Sequence, residues 1–147
     1  MPVSLNTRQR LRQILGSIEK ADEIIDAIST FVDRFINFNN TFSGISYNTI
    51  YEYDVEDNST VLLTFSVVAK ELTSNSRASF KRTSTFYRDN GGAVQTIENT
   101  QTDYTNEQLS EFDAKFSISG NKVQLQVKNG NSLSTKWSGS LEVEKLS

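Results

Sequence analysis

The sequence predicts a mainly β protein with an N-terminal α-helix: a trimeric coiled-coil stalk over residues 1–43, then an antiparallel β-sandwich or jelly-roll-like domain over 44–147. Two changes in pattern carry this reading. Apolar residues recur at alternating intervals of three and four up to about Phe42, and beyond it the period falls to two. A single Pro among plentiful Ser, Thr and Asn also suits strands joined by tight polar turns.

The helix starts at Asn6 or Thr7, either of which can cap it, and Gln9 follows Asn6 in a capping-box arrangement. Leu11, Ile18, Ile25 and Val32 then occupy heptad position a, and Ile14, Ala21, Ile28 and Phe35 position d. The frame extends to Asn39 and Phe42. A helix lying on its own core drifts toward a 3.6-residue period, whereas this one keeps 3.5. From Arg8 to Phe38 it would be about 46 Å long at about 1.5 Å per residue, too long for a small β domain to cover. Self-association is therefore expected. Ile at both a and d disfavours a parallel dimer. Leu15, Ile24, Phe31 and Ile36 widen the apolar stripe, as a helix with two neighbours requires. A homotrimer is expected, with Gly16 on its solvent face.

Strands follow. Ile45, Tyr47, Thr49, Tyr51, Tyr53 and Val55 are assigned to one face of the first, and Val61, Leu63, Phe65, Val67 and Ala69 to one face of the second, with Asp57-Asn58-Ser59 as the turn. Arg77 to Arg88 is a longer polar strand with Phe80 and Phe86 inward, ended by the turn Asp89-Asn90-Gly91-Gly92. Val94 to Thr102 reads as a weak edge strand. Phe112, Ala114, Phe116 and Ile118 alternate with polar residues up to the hairpin loop Gly120-Asn121, which leads into Val123, Leu125 and Val127. After Asn129-Gly130-Asn131 the inward set is Leu133, Thr135, Trp137, Gly139, Leu141 and Val143, with Gly139 a bulge or a point of close backbone approach.

The chain has neither His nor Cys, which excludes disulfides, thiolate nucleophiles and His or Cys metal sites. A net charge of −3 provides no basic field for nucleic acid. No apolar run is long enough to cross a membrane, and the N-terminus lacks a signal-peptide core, so synthesis in the cytosol is expected. Glycosidase chemistry needs two carboxylates across a cleft. Glu52, Asp54, Glu107 and Glu111 are the candidates, each at a strand end or loop where acids are commonly just solvated. Asp54, Glu56 and Asp57 form the densest acidic patch, but their spacing matches no calcium loop. No enzyme activity, cofactor or metal is expected. Arg8, Arg10 and Arg12 sit at a helix start, where the dipole disfavours cations, and are candidates for docking on an acidic partner. Tyr47, Tyr51, Tyr53, Tyr87 and Tyr104 could form an adhesive surface, although strand aromatics more often serve a core or interface.

The run from Glu111 to Val127, with its aromatic-Asp strand, Gly-Asn turn and short alternating strand, resembles a β module of tailed-phage virion proteins. Thr135 to Val143 is similar to the Trp-bearing strand that closes the module, and Arg77–Arg82 with Gly91-Gly92 to its earlier hairpin. Members often have Trp before the Asp, where this chain has Phe112. The resemblance covers roughly residues 60–147 and implies a structural or adhesive domain of a phage head or tail fibre, commonly trimeric, with no catalytic residues. It implies a virion component, made in the host cytoplasm, that contacts copies of itself and other capsid or tail proteins. A capsid decoration, head fibre or tail-associated part all fit. The alternative is a receptor- or glycan-binding tail-fibre tip. Short polar turns favour the structural role, and the small size disfavours a depolymerase.

Overall fold

A computed structural model describes residues 35–97 and 100–146, and all of the following concerns these. They form nine strands: β1 (Phe35–Phe42), β2 (Asn48–Asp54), β3 (Ser59–Glu71), β4 (Arg77–Arg88), β5 (Gln95–Thr96), β6 (Gln101–Glu107), β7 (Asp113–Ser119), β8 (Lys122–Lys128) and β9 (Thr135–Leu146). A six-stranded sheet runs β1-β9-β3-β4-β5, with β6 also on β4, and a three-stranded sheet runs β2-β8-β7. The β3–β4, β3–β9, β4–β5, β4–β6, β2–β8 and β7–β8 pairs are all antiparallel. The mainly β, antiparallel expectation is met.

One assignment is corrected at once. Phe35–Phe42 was expected to continue the helix, and it is strand β1. Its Asn residues are weak helix formers, while its aromatic, Ile and Thr residues suit a pleated ladder beside β9. Ile36 and Phe38 are half-buried in alternation with exposed Phe35, Asn37 and Asn39. Phe35, placed at a core d position, is 40% exposed. Leu11, Ile14, Ile18, Ala21, Ile25, Ile28 and Val32, with Arg8, Arg10 and Arg12, lie outside the described residues.

The core lies between the two sheets and is made by alternation. Val61, Leu63, Phe65, Val67 and Ala69 are all buried on β3, as are Phe80 and Phe86 on β4 and Val123, Leu125 and Val127 on β8. Phe116 of β7 meets Phe86 edge-on at 5.3 Å and Phe65 at 6.0 Å, joining the layers. Trp137 stacks on Phe80 at 6.3 Å and takes the edge of Phe112 at 6.0 Å. Its indole N–H donates to Asn129 Oδ1 at 2.8 Å, and Asn129 Nδ2 donates to the Phe42 carbonyl at 2.8 Å. The buried polar atoms of these two side chains are thereby satisfied. Gly139 is the expected close approach: a Cβ there would stand 2.2 Å from the Ser66 carbonyl oxygen.

Five expected face positions differ, of which Ile45 and Tyr47 precede β2 and are exposed. Ile50 is bulged, since Thr49 pairs with Gln126 and Tyr51 with Leu125, so Thr49 does not share the face of Tyr51 and Tyr53. Ile118 and Leu133 are 41% and 44% exposed, Ile118 near the end of β7 and Leu133 in the loop before β9. The weak strand Val94–Thr102 is instead the short β5 and the longer β6, both at the β4 edge as expected.

One end of the sandwich is interlocked. Asp57 Oδ1 accepts the Gly91 N–H at 2.7 Å and Asn58 Oδ1 the Asn90 N–H at 3.1 Å. The Val55 N–H donates to the Asn121 carbonyl at 3.0 Å, and the Val94 N–H to that of Gly120 at 2.9 Å. Asn58, Asn90, Gly91 and Gly120 all have positive φ, as such turns require.

Candidate functional surface

β3 pairs with β4 and with β9 in unbroken register, so outward side chains of the large sheet line up in straight rows across the strands. The first row is Lys136, Lys70 and Arg77, three exposed cations directly opposite one another. Like charges in direct cross-strand pairs are destabilising. None of the three has an ion pair within 4.0 Å among the described residues, and one Arg77 Nη1 contact, to the Asn75 carbonyl at 3.1 Å, steadies that side chain. The next row is Ser138, Val68, Ser79 and Asn106, and the third is Ser140, Ser66, Lys81 and Tyr104. Farther along stand Glu142, Thr64 and Thr83, then Glu144, Leu62 and Thr85. The face is rich in hydroxyls and graded in charge, cationic at one end and acidic at the other.

Two adjoining depressions open at the cationic end. A trough of about 710 Å³ is lined by Val68, Arg77, Ser79, Asn106, Glu107 and Gln108. A second, of about 280 Å³, is lined by Val68, Lys70, Leu72, Arg77, Lys136 and Ser138. Val68 and Leu72 are 56% and 53% exposed, unusual for aliphatic side chains beside cations. A third depression of about 280 Å³ lies at the acidic end, by Leu62, Thr85 and Glu144.

The acids singled out in the sequence are dispersed. Glu52 and Asp54 flank Lys122 at 3.7 and 3.8 Å, and Glu111 pairs with Lys128 at 3.2 Å. Glu56 pairs with Lys145, and Asp57 is committed to the turn amides of Asn58 and Gly91. Glu107 lines the trough. Among the described residues no group of acids is arranged to hold a metal ion.

The tyrosines divide. Tyr51 stacks on Phe38 at 5.9 Å, and burial, followed by the charge of Glu56, pushes the Tyr53 phenol up. Tyr47 donates its hydroxyl to Asp113 and lies under Lys115 Nζ at 3.9 Å. Burial, the bond to Asp113 and the charges of Asp113 and Glu111 push its phenol up to about 12. Only Tyr87 and Tyr104 of the five belong to the outer face of the large sheet.

Sequence reading missed the cation row and also Arg82. Arg82 is buried, donating to the carbonyls of Ala114 at 3.0 Å and Tyr104 at 2.7 Å and to Thr105 Oγ1 at 2.9 Å. It ties β4 to β6 and β7. A period-2 count from Phe80 to Phe86 puts Arg82 on the inward face, which was the available signal.

No family model matches the chain, and no curated protein matches it. Solved structures that it is similar to include the tailspike protein of Acinetobacter baumannii phage AM24, at a TM-score of 0.48 and 10% identity over 78% of this chain and 27% of that one. Another is the tailspike protein of Acinetobacter phage vB_ApiP_P1, at 0.46 and 12% over 77% and 22%. A third is the tailspike protein gp49 of Acinetobacter baumannii bacteriophage Fri1, a capsular polysaccharide depolymerase, at 0.39 and 19% over 76% and 18%. The chain thus spans about a quarter or less of the length of these proteins. At these TM-scores the likeness carries no chemistry over to it.

Proposed function

We propose that the chain is a non-enzymatic structural protein of a tailed-phage virion, a homotrimer in which an N-terminal heptad stalk gathers and anchors three β domains as a capsid decoration, head fibre or tail-associated part. The observation that carries this reading is the fate of the two segments that resemble the virion β module. Glu111–Val127 supplies the β7–β8 hairpin with its Gly120-Asn121 turn, and Thr135–Val143 supplies β9, whose Trp137 fills the core. A hairpin with a Gly-Asn turn and a Trp-bearing strand in these places support that reading. The stalk is supported by the unbroken heptads from Leu11 to Val32.

The test is the oligomeric state. Replacing Ile25 and Ile28 with Asn puts unpaired polar groups into each buried layer, so light scattering should read trimer for the parent and monomer for the variant. A variant that stays trimeric sinks the stalk. Labelled antibody on virions, viewed by electron microscopy, then reports whether the protein is on the particle and on which part.

A second reading, a receptor- or glycan-binding tip, is favoured by the trough across the outer face at Val68, Arg77 and Asn106.

A further inference from the structure

We propose that the row Lys136, Lys70 and Arg77 is a binding subsite for an acidic polysaccharide, with the carboxylates of the polymer on the row and its sugar rings against Val68 and Leu72. This deepens the glycan-binding reading by naming the ligand class. It does not depend on the stalk or on the trimer.

The row is costly as it stands. Cross-strand neighbours are about 4.8 Å apart in a sheet, and like charges placed so repel. The chain as a whole is acidic, at −3, so a run of cations on neighbouring strands does not reflect general composition. The nearest carboxylates in register do not neutralise it. Glu71 follows Lys70 but is buried on the inward face, where its oxygens accept from Thr73 N, Ser74 N and Ser74 Oγ. Glu107 lines the trough without an ion pair to Arg77 among the described residues. An anionic ligand would remove the repulsion.

The surroundings narrow the class of anion. The depressions are open and adjoin one another across β9, β3, β4 and β6, a shape that takes an extended chain. Their walls carry Ser138, Ser79 and Asn106, whose hydroxyl and amide groups suit sugar hydroxyls, while Val68 and Leu72 offer apolar surface to ring C–H groups. Single-stranded nucleic acid would need aromatic platforms. The two rows concerned contain none, and Tyr104 stands one row farther on.

The test uses the full chain in calorimetric titration with an oligogalacturonate of fixed length. Its methyl ester, which keeps the rings and loses the charges, serves as control, with poly-glutamate and oligo-dT as other polyanions. The acid should bind, more weakly as salt rises, and the ester should not. K70Q/R77Q/K136Q should bind the acid about tenfold more weakly or worse, and should melt no lower than the parent because repulsion has been relieved. Equal binding of acid and ester overturns the charge assignment and leaves a glycan-binding tip standing. Unchanged binding by the triple variant overturns the placement. Poly-glutamate or oligo-dT binding as tightly as the uronate overturns the ligand class. Binding of neither acid nor ester removes both the subsite and the glycan-binding reading, with the trimeric stalk judged separately by light scattering.

Discussion

Trp137 and Asn129 form a polar link inside the core: the indole N–H donates to Asn129 Oδ1 at 2.8 Å, and both residues are essentially inaccessible. Because Asn129 also donates to the Phe42 carbonyl at the end of β1, one amide holds β1, the β8–β9 loop and β9 together.

Asn129→Leu should therefore cost more than its change in volume suggests. It strands the Trp137 N–H and the Phe42 carbonyl, and a buried orphaned group costs about 1–3 kcal/mol. Urea unfolding should show a lower midpoint at an unchanged slope. A midpoint equal to that of the parent would mean that water replaces the amide.

Two glycine substitutions should destabilise for different reasons. Gly139→Ala drives a Cβ to within 2.2 Å of the Ser66 carbonyl oxygen, an immovable backbone atom. The loss should reach or exceed the upper end of the usual overpacking cost of about 1–3 kcal/mol. Gly44→Ala meets open space but must hold a φ of +89°. Its cost is conformational, about 1–2 kcal/mol. Differential scanning calorimetry should rank Gly139→Ala well below Gly44→Ala.

Ser84 presents the opposite case. Its hydroxyl is buried without a hydrogen-bond partner among the described residues. Ser84→Ala removes a desolvated polar atom and leaves no partner behind, so stability should stay level or rise by about 1 kcal/mol. A clear fall in thermal midpoint would reveal an ordered water at this position.

Stability should decline at both extremes of pH, through different groups. The Ser74 hydroxyl, helped by the Thr73 and Ser74 amides, holds the Glu71 carboxyl below its ordinary value of 4.5 against the opposing effect of burial. Its contribution is complete above the unfolded pKa and is lost as pH falls through the lower folded value. Tyr47 is shifted the other way, from 10.0 to about 12. Its contribution is complete below 10.0 and is lost as pH rises toward about 12. Glu71→Gln should flatten the acid limb of a stability–pH curve, and Tyr47→Phe the alkaline limb. An unchanged limb in either variant refutes the assigned group.

Much of the β domain was legible because alternation is local. The Val61–Ala69 and Val123–Val127 sets and the turn at Gly120 needed only neighbouring residues. β1 was not legible, because its apolar residues satisfy two periods at once. Phe35 and Phe42 continue a heptad frame, while Ile36 and Phe38 form the half-buried side of a strand. The Ile50 bulge changes face parity without any Gly or Pro to mark it. The cation row was hidden for a deeper reason: Lys70 meets Lys136 only through the β3–β9 pairing, and nothing near either residue specifies the distant partner.

The place of β9 has a consequence for synthesis on the ribosome. Among the described strands it comes last in sequence, yet it lies inside the large sheet between β1 and β3, and it carries Trp137 into the core. Until it emerges, β3 is paired with β4 on one edge but open along the other, and the inward faces of β3 and β4 lack Trp137. A nascent chain halted before Thr135 would thus expose an unpaired edge and an unfilled core, the state most prone to aggregation. Completion of this sheet therefore waits for β9.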